Sequence, residues 1–116
     1  MHIETFREYC LSKKGVTEAF PFDQDTLVFK VMGKIFALTD VDRFDSINLK
    51  CDPDRVPGLR ARYPAVLPGY HMNKKHWNTI LMDGSIPDSL LREWIDHSYN
   101  MVVAGLPRKL KEQLGE

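Results

Sequence analysis

Apolar residues recur every three to four positions at the start of the chain: Ile3, Phe6, Tyr9 or Cys10, then the stem of Lys13, with Glu4, Arg7 and Glu8 between them. That spacing predicts an amphipathic helix over 2–13. Gly15 follows where a left-handed residue ends a helix. The period then drops to two. VTEAFPF at 16–22 predicts a short edge strand, since Pro21 has no backbone donor for a central one. In TLVFKVM at 26–32, Leu27, Phe29 and Val31 alternate with Val28 and Lys30. Gly33-Lys34 turns, and KIFALT at 34–39 returns, which is a hairpin signal. After a polar turn at 40–43, FDSINLK at 44–50 alternates again. Phe44, Ser46, Asn48 and Lys50 fall on one face, and Asp45, Ile47 and Leu49 on the other.

A second helix is predicted from Pro53, with Asp52 as its cap and Asp54 at its positive end. Val56, Leu59, Arg60 and Tyr63 keep helical spacing, Gly58 weakens it, and Pro64 ends it. Arg55, Arg60 and Arg62 read as its solvated face. Residues 64–69 read as a loop. Short strands at 70–72 and 77–82 flank a hairpin tip at 73–76, and Asp83-Gly84 turns into the last helical stretch. There Pro87 suits a first turn. Leu90, Leu91, Trp94, Ile95, Ser98, Tyr99 and Val102 form the wide stripe of a helix packed on a sheet. Ser98 reads as a small packing residue and Tyr99 as a hydrogen bond into the sheet. Gly105 ends this helix, and PRKLKEQL at 107–114 predicts a short basic one with Leu110 and Leu114 facing in. Blocks of strands between helices, without βαβ alternation, predict an α+β fold. A strand meander and a second hairpin make one antiparallel sheet against N-terminal and C-terminal helices.

A chain of 116 residues is expected to be a single domain, 1–116. It can bury about two-thirds of its unfolded surface without a metal or disulfide. Cys10 and Cys51 are not in a CxxC, and they are expected to be reduced, half-buried thiols. The segment MHIETFREYC lacks the apolar core of a leader, and no run approaches the roughly 18 apolar residues of a membrane span. The expected compartment is the cytoplasm, with no membrane role.

The 16 basic and 16 acidic residues cancel. They are unevenly spread: residues 55–82 hold five Arg or Lys and no Asp or Glu. Inside that segment lies YHMNKKHWNTIL at 70–81. A neutral protein with its cations gathered can present a phosphate-attracting face. Lys74 and Lys75 at a hairpin tip could meet phosphates, Asn73 or Asn78 a base edge, and Tyr70, His76 or Trp77 an unpaired base. The plainer alternative makes Tyr70 and Trp77 packing residues and the lysines a solvated turn.

Other chemistry is weakly signalled. His71 and His76, five apart, fall on opposite faces of a regular strand, and His2 and His97 stand alone, so no metal site is expected. His97 and Ser98 point about 100° apart on a helix. No GxSxG, P-loop, HExxH or GxGxxG occurs. The chain is expected to be a non-enzyme with no catalytic residues and no cofactor.

Three segments together carry a resemblance: VFKVMGKIFAL at 28–38, PGYHMNKKHWNTILMD at 68–83, and SLLREWIDHSYNMVVAGLPRKLKEQL at 89–114. Over nearly its whole length the chain resembles the MmcQ/YjbR family. The resemblance implies a fold like that of the frataxin-like CyaY proteins and like the double-wing DNA-binding domain of a phage transcription factor. It implies DNA binding, and it carries over positions: Lys30, Lys34 and Lys50 on the meander, Tyr70, Asn73, Lys74, Lys75, His76 and Trp77 on the second hairpin, and Arg108 and Lys109 in the tail. The acidic ridge that frataxin likeness would require for iron is missing, since the first helix offers only Glu4 and Glu8. The expected function is low-specificity DNA binding by a monomer or weak dimer. The alternative partner is an acidic protein or a phosphorylated small molecule on the same basic edge.

Overall fold

A computed structural model describes residues 1–70 and 72–115. The elements are α1 (Ile3–Leu11), β1 (Val16–Ala19), β2 (Thr26–Val31), β3 (Lys34–Asp40), β4 (Ser46–Lys50), α2 (Val56–Arg62), β5 (Val66–Pro68), β6 (Trp77–Leu81), α3 (Asp88–Ala104) and α4 (Arg108–Leu114). The strands form one sheet in the order β1-β2-β3-β4-β6-β5, with every neighbouring pair antiparallel. This is the α+β architecture the periodicity predicts. No helix among the described residues is long and apolar enough to cross a membrane.

The helices share one face of the sheet. Phe6 and Cys10 of α1 and Leu91, Ile95 and Val102 of α3 are buried with Leu27, Phe29, Val31, Ile47 and Ile80 of the strands. Edge-on ring contacts join the layers: Phe6 to Phe29 (5.6 Å) and Phe36 to Tyr99 (5.5 Å). Pairing register places Val28, Leu38, Asn48, Thr79 and Leu67 in a row across the other face, which no helix covers.

Several details differ from expectation. The β2–β3 turn is Met32-Gly33, both with positive φ (49° and 83°), as a two-residue hairpin requires, rather than Gly33-Lys34. Phe44 also has positive φ (46°), which breaks the alternation before β4 begins. Its ring therefore turns back to meet Phe6 in the core instead of sharing a face with Ser46 and Asn48. The second helix starts at Val56, not Pro53. Asp52 accepts from the Asp54 N–H and builds a lead-in turn in place of a cap. The expected loop at 64–69 contains β5, a three-residue edge strand in which Pro68 costs no sheet bond, and neither Tyr70 nor Met72 lies in a strand. Both thiols are buried, Cys10 wholly.

The pairing of β2 with β3 slips between Phe29 and Lys30, leaving Phe36 as the extra residue of a bulge. Ser98 of α3, wholly buried, closes it. Its Oγ donates to the Phe36 carbonyl (2.5 Å) and accepts the Lys50 N–H (2.8 Å). It is a hydrogen-bonding bridge rather than mere packing. Tyr99 donates to the Lys14 carbonyl (2.5 Å), at the connection after α1, not to a strand.

Candidate functional site

The uncovered sheet face is the surface the fold leaves for recognition. Lys50 pairs with Trp77, and Lys30 projects two positions beyond Val28, so Lys30, Lys50 and Trp77 belong to this face. The turns at the two ends of the sheet sort the charge. One end gathers the β2–β3 turn, the end of β4 and the connections 51–55 and 69–76, with Lys34, Lys50, Arg55, Lys74 and Lys75 against Asp52 and Asp54. The opposite end gathers the loops 20–25 and 40–45 and the start of 82–87, with Asp23, Asp25, Asp40, Asp42, Asp45 and Asp83 against Arg43.

The connection 69–76 is built, not slack. The Gly69 N–H donates to the Trp77 carbonyl (2.9 Å), and a Cβ at Gly69 would lie 2.8 Å from Trp77 Cβ, so only glycine fits there. Asn73 Oδ1 accepts the Lys75 N–H (2.9 Å), and its carbonyl accepts His76 and Trp77. Lys74 Nζ donates back to the Gly69 carbonyl (3.3 Å). From the other layer, Arg60 donates Nε to Asn78 Oδ1 (2.9 Å) and Nη2 to the carbonyls of Lys74 (2.5 Å) and Trp77 (3.1 Å).

These contacts reassign several candidates. Asn78 is 2% exposed and faces the helices, so it does not meet a base edge. Arg60 is a half-buried brace, not part of a solvated face. Asn73 shapes the turn, and Lys75 is exposed beside it. The His76 carbonyl accepts the Cys51 N–H (2.8 Å), tying the loop to the end of β4. Arg108 and Lys109 lie on α4, whose Leu110 and Leu114 join the core on the helix side. The tail therefore does not share the face of Lys30 and Lys50. His71 lies outside the described residues.

Tyr70 is the most exposed large hydrophobic side chain among the described residues, at 70%. Its N–H donates to Thr79 Oγ1 (2.9 Å), and Thr79 donates to Asn48 Oδ1 (2.6 Å). Tyr70, Asn48 and Leu38, with Phe22 from the loop 20–25, border a cleft of about 640 Å³ on the uncovered face. Periodicity marks Asn48 for this face. Nothing local to Phe22 or Leu38 predicts that the loop 20–25 reaches them.

The remaining reactive groups are engaged. His97 Nε2 accepts the Asp52 N–H (3.1 Å), and burial, helped by Arg55, holds its pKa below the ordinary 6.5. Burial raises both thiols. Tyr9 donates to Asp96 (2.6 Å), and burial, then that carboxylate, pushes its pKa up to about 12. Lys13 also pairs with Asp96, stapling α1 to α3. Among the described residues, no group of three His, Cys, Asp or Glu side chains is placed to hold a metal ion.

A family model described as YjbR matches residues 11–101. YbdF of Escherichia coli O157:H7 is 41% identical over 107 residues, spanning 91% of this chain and 88% of its own. YjbR of Escherichia coli K12 is 36% identical over 98% of this chain and all of its own. The crystal structure of the Deinococcus radiodurans protein DR2400, a DUF419 domain, superposes with a TM-score of 0.91 at 40% identity, over 98% of this chain and 88% of that one.

Proposed function

Because this chain belongs to the YjbR family, with YbdF and YjbR matching 91% and 98% of it, we propose one activity for its uncovered sheet face: binding nucleic acid. Lys30, Lys50 and Lys75 take the phosphates, and Trp77 and Tyr70 offer aromatic surface beside them; Lys34, paired with Val31, falls on the helix side of the same sheet end and is left out. One observation carries this reading. The cations of three separate segments meet at one end of a sheet face that no helix covers. Clustered lysines attract a polyanion even when net charge is zero. Arg108 and Lys109 are left out, since they decorate the other layer.

We read the protein as a binder rather than an enzyme. The Ser98 hydroxyl is engaged by backbone on both sides, His97 by a backbone N–H, and both thiols are buried. A phosphorylated metabolite suits the site less well, because the cleft on this face is rimmed by Asp23, Asp40 and Asp45.

The test is a ¹⁵N–¹H NMR titration with a short duplex and a short single strand, at roughly 50 and 200 mM salt, where phosphate contacts weaken strongly. Shifts gathered on Lys30, Lys50 and 74–77, fading at higher salt, support the reading. A spectrum unmoved by either oligonucleotide at the lower salt removes it, and an acidic protein partner becomes the next candidate.

A further inference from the structure

We infer that the nucleic acid on the uncovered face is a single strand, that it runs across the β-strands along the lysine end, and that it is bound without preference for base. This rests on the nucleic-acid reading and narrows it. Two cross-strand pairs carry the argument. Lys30 lies opposite Ile35, and Lys50 opposite Trp77. Each pair sets a cation beside an apolar side chain on the same face, about 5 Å apart. All four residues are partly exposed, whereas Val28, Asn48 and Thr79 of the neighbouring row are buried. One pair spans β2 and β3 and the other β4 and β6, and between them the Ser98 hydroxyl ties Phe36 of β3 to Lys50 of β4. Cationic and apolar contacts thus alternate across adjacent strands of the sheet.

Such alternation suits a strand whose bases are turned out beside its phosphates. In a duplex the base faces are stacked away, and only their edges show in the grooves. The face has little with which to read an edge. Asn78 turns to the helices, Asn73 holds its own turn, and Asn48 Oδ1 accepts the Thr79 hydroxyl. Ile35 has no hydrogen-bonding side chain, and stacking on Trp77 tolerates every base.

The far end of the face fixes the path. Asp40 lies opposite Thr26, four residues before Lys30 on β2, which is about 14 Å away along the strand. Asp45 borders the same end. A duplex lying on the face carries a second phosphate backbone about 6–12 Å from the first, across one groove or the other. With one backbone on the lysines, the second is pushed toward these carboxylates. A single strand running lengthwise along the β-strands meets them too. A single strand running crosswise stays among Lys30, Lys50 and the exposed Lys75.

The experiment is fluorescence anisotropy of the whole chain with labelled hexamers of thymidine and of deoxyadenosine and a labelled duplex of about 12 base pairs, at about 50 and 200 mM salt. Unlabelled hexamers are followed in parallel by tryptophan emission. Of the two tryptophans, Trp77 is half-buried on this face and Trp94 is buried among the helices, so a base stacked on the row quenches Trp77. Both hexamers are expected to bind at least about 5-fold tighter than the duplex and within about 5-fold of each other. A salt slope near −2 is expected, as about three phosphate contacts to a single strand require. Trp77→Leu is expected to weaken both hexamers by about 5- to 150-fold, the loss of one stacked base, and to abolish the quenching. The comparison of probes and the quenching use the parent chain, so they decide the matter even if Trp77→Leu fails to fold. Duplex binding within about 5-fold of the hexamers, or tighter, overturns the single strand, and a larger difference between the hexamers overturns the lack of base preference. Hexamer binding that leaves the emission unchanged overturns the path over Trp77. Each of these results leaves nucleic-acid binding standing. No binding of any probe removes the nucleic-acid reading, and this inference with it.

Discussion

Arg60 donates its Nε proton to Asn78 Oδ1 at 2.9 Å, across the boundary between helix layer and sheet. The same guanidinium holds two carbonyls of the connection 69–76, so one side chain sets the shape of the basic loop from behind. Replacing Arg60 by Ala takes this donor from the buried Asn78 amide oxygen and from the Lys74 carbonyl, while the Trp77 carbonyl keeps the Gly69 N–H. The expected loss is about 1–3 kcal/mol in urea unfolding, with faster amide exchange at 74–77. Arg60→Lys recovers only part of it, because an ammonium cannot reproduce the planar fork.

Ser98→Ala orphans the Phe36 carbonyl and the Lys50 N–H together. A cost of about 1–3 kcal/mol is expected in urea unfolding. A plain packing role predicts a far smaller change, since alanine keeps the Cβ.

Most of the fold is legible in one dimension, because the helices and the β2–β3 hairpin announce themselves by period and by Gly33. The misses have local causes. Pro64, Pro68 and Gly69 look like a loop until β5 proves to be an edge strand, where proline is tolerated. Phe44 breaks the alternation through a positive φ that phenylalanine rarely adopts. The candidate site was half legible. Lys50, Tyr70 and Trp77 do lie on or beside one exposed face, whereas the residue type of Asn78 suggests a base contact that its facing forbids. That the charge is sorted between sheet ends depends on strand order, which no short segment encodes.

His97 gives a pH dependence. Its folded pKa lies below 6.5, so in the window beneath pH 6.5 the unfolded chain binds more protons than the folded one. Stability therefore falls as pH drops through that window and is fully present above it. Urea midpoints measured at about pH 7.5 and 5 should differ less in His97→Gln than in the parent chain.

For the proposed surface, Lys50→Ala and Lys75→Ala should each weaken nucleic-acid binding across all sequences and reduce the salt slope by about 1. Lys109→Ala, on the other layer, should leave the slope alone. Equal effects from all three would return the tail to the interface.

Cys10 and Cys51 should resist an aromatic disulfide reagent in the native protein and react promptly in denaturant, since burial removes access and raises both thiols. Prompt native labelling of either would mean that the core opens locally.

Sorting opposite charges to the two ends of a sheet also makes an electrically neutral molecule a permanent dipole. Near a polyanion such a body feels a torque before it feels a net pull, and it turns its lysine end forward while still in free diffusion. The gain then lies in the fraction of collisions that are correctly aimed, a kinetic advantage that an isoelectric point near 6.9 would never disclose.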